Sequence, residues 1–204
     1  MSEEQKKLLE KQLWAIANLL RGKMDADDYR NYILGFIFFK YLSERMHLYA
    51  NSLLSEDNML YTDIDERSAN GKEYLEAVRE EALAKLGYFL KPSELFTFIA
   101  KKGNSLEGGD TFILEDLTTI LKNIEQSTMG TESEDDFGNL FEDLDLTSTK
   151  LGKTDAQRNT IISKVLFHLD QIDFQLENTD ADVLGDAYEY LIGQFASGAG
   201  KKAG

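Results

Sequence analysis

Residues 27–54, DDYRNYILGFIFFKYLSERMHLYANSLL, decide the fold class of this chain. Apolar residues recur here at the three- and four-residue spacing of one helical face: Tyr29, Ile33, Phe36, Ile37 and Tyr41. Aromatic side chains are so dense that most of the helix circumference must be covered by other parts of the protein. The pattern predicts a core helix that begins near Asp25 or Asp27 and runs towards Leu54.

The most apolar part of this stretch, YILGFIFFKYL over residues 32–42, is interrupted by Lys40. It is also much shorter than the roughly 20 apolar residues that are needed to cross a bilayer. We therefore interpret it as a buried helix segment, and no membrane partner is expected.

The residues before this stretch predict a first helix. Ser2 and Gln5 have the spacing of a capping box. Apolar residues then follow on one helical face: Leu9, Leu13, Ile16 and Leu20. We expect Gly22 to end this helix, because glycine readily adopts the left-handed conformation that is common just after a helix.

After residue 54 the pattern predicts a polar loop over residues 55–71 and a third helix from residue 72, which Gly87 ends. Lys91 precedes a proline and is restricted to extended backbone, so we expect a short extended segment here, with Ser93 capping the following turn. Asp110 is expected to cap the next helix. The apolar residues predicted on that helix are Phe112, Leu117, Ile120, Leu121 and Ile124.

Residues 131–146 hold seven carboxylates and no lysine or arginine: Glu132, Glu134, Asp135, Asp136, Glu142, Asp143 and Asp145. We expect an exposed loop that Phe137, Leu140 and Phe141 attach to the body of the protein. A metal site would require these carboxylates to converge on one point, which an acidic run does not ensure. Two further helices are predicted, one over residues 155–172 and one over residues 183–196 that follows Asp180 or Asp182.

The composition agrees with a helical protein. The 204 residues are 42% hydrophobic, which is sufficient for a packed core, and they include a single proline, Pro92. Proline is frequent in turns and edge strands, so its scarcity favours long helices. The predicted fold class is all-α, a multi-helix bundle with at most one short extended segment.

Cysteine usage and the first residues bear on the compartment. The chain has no cysteine, which excludes a disulfide framework and a thiolate metal site. The start, MSEEQKKLLEKQ, is too charged for a signal peptide. We therefore expect a cytoplasmic protein.

The formal net charge is −15, from 37 acidic and 22 basic residues. Because nucleic-acid binding requires clustered lysine and arginine, this balance argues against a free-standing nucleic-acid binder. It favours a partner with a basic surface, although excess carboxylate also serves solubility alone.

Known catalytic and cofactor motifs find no match. TSTKLGKT, residues 147–154, ends like a phosphate-binding loop, but the first glycine of that motif would fall at Thr147. Gly198 and Gly200 form a bare G-x-G after a helix and are better read as a flexible helix exit. His47 and His168 lie far apart on two helical segments without a neighbouring ligand pattern, which is typical of surface or partly buried histidines.

Two longer stretches carry a resemblance to a known family. LLRGKMDADDYRNYILGFIFFKYLSERM, residues 19–46, and DADVLGDAYEYLIGQFASGAGKKAG, residues 180–204, resemble the hallmark stretches of the amino-terminal domain of the modification (M) subunit of type I restriction-modification systems. GYFLKPSELF and FEDLDLTSTKLG, residues 87–96 and 141–152, resemble the weaker middle signatures in the expected order. The resemblance spans the whole chain.

The resemblance implies a domain organisation and an activity for the parent subunit. Residues 1–178 would be the N-terminal helical domain, and residues 179–204 a linker helix leading to a methyltransferase domain that is missing from this chain. The parent would be a DNA adenine-N6 methyltransferase that uses S-adenosylmethionine. The family's catalytic motif, Asn/Asp-Pro-Pro-aromatic, cannot be present because Pro92 lies between Lys91 and Ser93. We therefore expect no catalytic, cofactor-binding or metal-binding residues in this segment.

The resemblance also implies partners. The domain would pack against the specificity (S) subunit and a second M subunit, help to enclose double-stranded target DNA, and meet a restriction (R) subunit in the cleaving complex. The candidates for DNA-proximal residues are Arg21, Lys23, Lys201 and Lys202. Two alternatives stay open, namely an acidic mimic of DNA and a general helical protein-interaction module.

Overall fold

The computed structural model of the protein describes residues 3–104, 111–177 and Gly193, and these contain helices and no strand. The helices are α1 (Glu3–Leu20), α2 (Ala26–Leu53), α3 (Ala69–Lys85), α4 (Phe96–Gly103), α5 (Leu114–Ser127), α6 (Glu134–Phe137) and α7 (Asp155–Asp170). Short 3-10 turns lie at Ser55–Asp57, Tyr61–Asp63 and Pro92–Glu94. The predicted all-α fold class is confirmed.

Helix α2 is the core helix that the sequence predicts. Asp25 is its N-cap, and the Asp25 carboxylate accepts the backbone N–H groups of Asp27 and Asp28. The helix packs against α3, α4 and α7. Because it meets neighbours on several sides, its buried apolar residues extend around much of the helix: Tyr29, Tyr32, Ile33, Phe36, Ile37, Phe39, Leu42, Met46 and Ala50.

Helix α7 is the second organising element, since it packs against α1, α4 and α2. Its inward residues Ile162, Val165 and Leu166 are almost fully buried. The predicted helix over 155–172 is confirmed to within two residues at its end. Gly22 and Gly87 have positive φ values of 77° and 85° just after α1 and α3, as expected for residues that end helices.

Helix α3 begins earlier than the sequence indicates. The predicted start at residue 72 is wrong, because Ser68 caps the helix by accepting the N–H of Gly71 at 2.9 Å. Gly71 also lies against the preceding turn: a Cβ there would stand 1.9 Å from the Asp65 carbonyl oxygen. Gly71 is thus required for the tight turn that enters α3.

The expected cap at Ser93 is also wrong. Lys91 is extended, with φ −73° and ψ 163°, as its position before proline predicts. Ser93 instead lies inside the 3-10 turn, and both its N–H and its hydroxyl donate to the Glu66 carboxylate, at 2.7 and 3.0 Å. Helix α4 follows from Leu95 without a side-chain cap. The serine stabilises a long-range contact rather than the local turn.

Helix α5 begins at Leu114, so the prediction that it includes Phe112 is wrong. Asn159 of α7 accepts the N–H of Ile113 at 2.8 Å and donates to the Thr111 carbonyl at 3.1 Å. These bonds hold residues 111–113 outside the helix. Asp110, the expected cap, lies outside the described residues, as do Ser2 and the predicted helix over 183–196 apart from Gly193.

The acidic interval 131–146 is exposed as predicted, although it includes the single turn of α6. All seven carboxylates are exposed, whereas Phe141 is buried and Phe137 and Leu140 are partly buried against the core. The loop is also tied to α2. The Tyr32 hydroxyl donates to the Asp145 carbonyl, and Lys150 forms an ion pair with Asp28 at the start of α2.

Candidate interaction groove

A groove of about 440 Å³ lies between α2 and α4, and we call it the α4 groove. Its apolar wall comes from Ile64, Pro92, Leu95 and Phe98. Its polar lining consists of Ser43, Glu44, His47, Thr62, Glu66, Ser93, Thr97 and Lys101. It is the more apolar of the two grooves that adjoin this part of α2.

The second groove, of about 420 Å³, lies between α2 and the segment that follows α7, and we call it the exit groove. It is lined by Glu44, His47, Leu48, Asp173, Gln175, Leu176 and Glu177. Glu44 and His47 line both grooves, so the two form one surface on either side of these residues. We refer to the residues lining both grooves as the Glu44 surface.

A buried ion pair lies beneath the Glu44 surface. Lys40 is only 2% exposed and forms an ion pair with Glu44 one turn later on α2. The Lys40 ammonium also lies 4.8 Å from the ring centre of Phe174 and 5.6 Å from that of Phe96. One carboxylate and two aromatic rings therefore stabilise the buried positive charge of Lys40.

The surroundings shift the pKa of Glu44. Burial raises the pKa of this carboxyl, the Lys40 ammonium opposes that effect, and the carboxylates Asp173 and Asp170 raise the pKa further. The net effect is a Glu44 pKa above its ordinary value, with burial as the main cause.

Hydrogen bonds fix the wall of the α4 groove. The Glu94 carboxylate accepts hydrogen bonds from the Lys91 N–H at 2.9 Å and from the Asn123 side-chain amide at 2.6 Å. The Phe96 N–H donates to the Ser43 hydroxyl of α2 at 2.6 Å. Residues 91–96 are therefore held against α2, α5 and the 61–66 segment, and the groove is preformed.

Both histidines are partly buried, in agreement with the prediction. Burial lowers the pKa of His47 below its ordinary value of 6.5, so this imidazole is neutral at neutral pH. His168 lies elsewhere, where its Nδ1 is 2.6 Å from the Gln12 side-chain oxygen of α1. The histidines do not share a site.

The structure places two of the proposed DNA-proximal residues in the turn between α1 and α2. Lys23 is exposed there and Arg21 is half-buried. Glu44 lies nineteen residues beyond Asp25 on α2, roughly 28 Å along the helix at 1.5 Å per residue. Lys201 and Lys202 lie outside the described residues. The basic turn is therefore at the start of α2, whereas Glu44 lies in the second half of the helix.

Sequence reasoning noticed Lys40 only as an interruption of an apolar run. The four-residue spacing between Lys40 and Glu44 places their side chains on one helical face and so indicates an ion pair. The contacts of Lys40 with Phe96 and Phe174 join residues far apart in sequence, and no local pattern indicates them.

The described part of the chain offers neither a metal site nor a membrane span. No group of three or more histidine, aspartate or glutamate residues there is arranged to hold a metal ion. Among the helices that the structure describes, none is long and apolar enough to span a bilayer.

Comparisons with known proteins identify the family. Residues 9–169 match the family described as "HsdM N-terminal domain". The chain is similar to the type I restriction enzyme MpnII methylase subunit of Mycoplasma pneumoniae, with 34% identity over 208 aligned positions that include 98% of this chain. The chain spans only 37% of that relative's length.

A solved structure agrees. The fold is similar to that of the type I restriction-modification system methyltransferase subunit from Streptococcus thermophilus, with a TM-score of 0.69 and 36% identity. The similarity covers 92% of this chain and 38% of that subunit. From the family match and these two relatives, the chain belongs to the HsdM N-terminal domain family of type I restriction-modification methylase subunits.

Proposed function

We propose that this chain is the accessory helical domain of the M subunit of a type I restriction-modification DNA methyltransferase. The parent enzyme would methylate adenine at N6 with S-adenosylmethionine as the methyl donor. The observation that carries the proposal is the family match over residues 9–169, together with a methylase-subunit relative that aligns with nearly the whole chain.

The lengths of the relatives support a division of the parent subunit into two domains. Residues 1–178 are the helical domain, and residues 179–204 are a linker helix leading to the methyltransferase domain. The relatives are more than twice as long as this chain, which supports placing cofactor binding and catalysis in the remainder of the parent subunit.

The physical role concerns the handling of DNA. Methylating a base of a duplex requires the base to be flipped out while the distorted DNA is held. A preformed helical body that packs against the S subunit and a second M subunit helps to enclose the duplex. The R subunit joins this complex for cleavage. Sequence choice belongs to the S subunit, and the assembly works in the cytoplasm.

The proposed DNA-facing end is the α1–α2 turn. Lys23 extends from this turn, Arg21 precedes it, and Arg30 and Lys150 lie at the same end of α2. Asp25, Asp27 and Asp28 offset much of this positive charge, since Lys150 pairs with Asp25 and Asp28 and Arg30 pairs with Asp27. Phosphate contacts here would be few and would orient the domain. Lys201 and Lys202 complete the proposed set.

The test is methylation by the assembled enzyme. The complete M reading frame that contains this chain is co-expressed with its S subunit, and N6-methyladenine in host DNA is measured by mass spectrometry. We expect methylation by the intact pair and its loss when residues 3–177 are deleted. An intact pair without N6-methyladenine would refute the parent activity, and full methylation after the deletion would refute the accessory role.

A second experiment tests the DNA-facing end by titrating the assembled enzyme with target and non-target duplexes. Substituting Arg21→Gln and Lys23→Gln should lower the affinity of the assembled enzyme for its target while leaving its discrimination between sequences unchanged, because phosphate contacts carry no sequence information. Lys72→Gln, at an exposed position on α3, is the matched control. An unchanged affinity in the double variant would remove these residues from the DNA side.

A further inference from the structure

Two large apolar side chains of the Glu44 surface are exposed to solvent. Phe98 of the α4 groove is 52% exposed, and Leu48 of the exit groove is 38% exposed. They lie on either side of Glu44 and His47, and Leu176 and Leu95 add apolar lining beside them. Exposed apolar side chains at a preformed groove are typical of protein docking sites.

Negative charge predominates on this surface. Its ionisable lining consists of four carboxylates, one lysine and the neutral His47: Glu44, Glu66, Asp173 and Glu177 against Lys101. Glu44 is balanced by Lys40 from below and Glu66 is occupied by Ser93. Asp173 and Glu177 form no ion pair with any residue in the described ranges. The exit groove therefore has carboxylates available for a cation that the domain itself does not supply.

We propose that the Glu44 surface binds a basic amphipathic segment of a partner protein. One apolar side chain of the segment packs against Phe98 in the α4 groove, and a lysine or arginine pairs with Asp173 and Glu177 in the exit groove. Charge complementarity selects this occupant. A second copy of the chain carries the same charge of −15, and the same carboxylates repel nucleic acid.

The proposal goes beyond the assignment to a methyltransferase subunit and does not depend on it. It concerns the second half of α2, away from the turn that holds Arg21 and Lys23. The partner is defined by its chemistry, which is a positively charged helix or strand with one large apolar residue near its basic side chains.

The test uses the whole 204-residue chain and two fluorescent peptides. Both are about 15 residues long, a length that allows about four helical turns. They share one leucine face, and the other face carries lysine in the first peptide and glutamate in the second. In anisotropy titrations we expect the lysine peptide to bind at least about tenfold more tightly than the glutamate peptide, with affinity falling as salt is raised.

Matched variants locate the binding. Asp173→Asn with Glu177→Gln removes two charges from the surface, and Asp135→Asn with Asp143→Asn removes two from the exposed acidic loop. The first pair should weaken lysine-peptide binding at least about fivefold and the second should leave it nearly unchanged, because only close charges escape screening. Phe98→Ser should also weaken it, whereas Phe112→Ser, at a residue 49% exposed elsewhere, should not.

Several outcomes would overturn the proposal. These are an equal loss of lysine-peptide affinity in the two double charge variants, equal binding of the two peptides, or no binding of either peptide. A chain dimer that buries Phe98, detected by sedimentation, would assign the surface to a second copy instead. Thermal midpoints are measured first, and if Phe98→Ser does not fold, the comparison of the two charge pairs decides alone.

Discussion

Asn159, in the middle of α7, accepts the backbone N–H of Ile113 at 2.8 Å, and both residues are buried. The same side chain donates to the Thr111 carbonyl. One amide thereby satisfies two backbone groups at the entry to α5, where no side chain caps the helix.

Replacing Asn159 with Ala should leave the Ile113 N–H buried without a partner. We expect the free energy of unfolding to fall by about 1–3 kcal/mol, which is the usual cost of an unsatisfied buried polar group. Urea unfolding followed by circular dichroism measures the change. Asn70→Ala, at an exposed position on α3, is the control and should cost almost nothing. Equal effects of the two substitutions would contradict the role of Asn159.

Phe36 tests the core position of α2. It is 1% exposed, and truncation to Ala should lower the free energy of unfolding by roughly 3–5 kcal/mol through lost burial and the remaining cavity. Leu34 on the same helix is 45% exposed, and Leu34→Ala should cost far less. Thermal or urea midpoints compare the two. A midpoint that barely moves for Phe36→Ala would show that this face is not in the core.

Asp25 gives a prediction about pH. The N–H of Asp28 holds the pKa of the Asp25 carboxyl below its usual 3.8, burial opposes this effect, and the Lys150 charge adds to the lowering. A depressed folded-state pKa means that ionised Asp25 stabilises the fold above pH 3.8, and that this stabilisation is lost as the pH falls through the lower folded value.

The Asp25→Ala variant should therefore have a lower melting temperature than the parent protein at neutral pH. The difference between the two melting temperatures should narrow as the pH falls through the range in which the Asp25 carboxyl is protonated. Asp135→Asn, which removes a charge from the exposed loop without a cap, serves as the control. A gap that stays constant across this pH range would mean that the charge of Asp25 does not contribute.

We expect this chain not to bind S-adenosylmethionine with a dissociation constant below about 100 µM, a free energy of roughly −5.5 kcal/mol. The physical reason is that its sequence contains no strand, glycine-rich turn and helix unit to present backbone N–H groups to the cofactor. Calorimetry on the chain, with a full-length methylase subunit as the positive control, measures this. Tighter binding would require a cofactor site that the motifs do not reveal.

We also expect the isolated chain not to bind a short DNA duplex more tightly than about 100 µM at about 150 mM salt, the weak end of nonspecific affinities. The net charge of −15 repels phosphate, and two of the cations near the start of α2, Arg30 and Lys150, are paired with aspartates. Fluorescence anisotropy checks this, with a basic DNA-binding domain as the control. Low-micromolar binding would mean that a concentrated basic face exists.

The sequence predicted the features that depend on local periodicity and capping. The start of α2 near Asp25 or Asp27, its extent towards Leu54 and the ends of α1 and α3 follow from spacing and from glycine geometry. The predicted starts of α3 and α5 are wrong, because the polar residues of 55–71 indicate a loop and Phe112 fits the apolar spacing of α5. In the fold, a close approach to Asp65 and the amide of Asn159 decide these positions.

The Glu44 surface could not be predicted for a related reason. Its two grooves bring residues 43–48, 62–66, 92–101 and 173–177 together. Only the Lys40 and Glu44 pair is visible as a spacing within one helix. The exposed acidic loop was predictable because solvation of an acidic run needs no distant partner.

The position of Phe174 has a mechanical consequence. This ring lies four residues beyond α7 and is held against the Lys40 ammonium of α2. A pulling force applied to the chain after Glu177 would act on the contact between Phe174 and Lys40 before it acted on the last turn of α7. A pull on the chain after Glu177 would therefore reach α2, the longest helix that the structure describes, through Phe174 and Lys40.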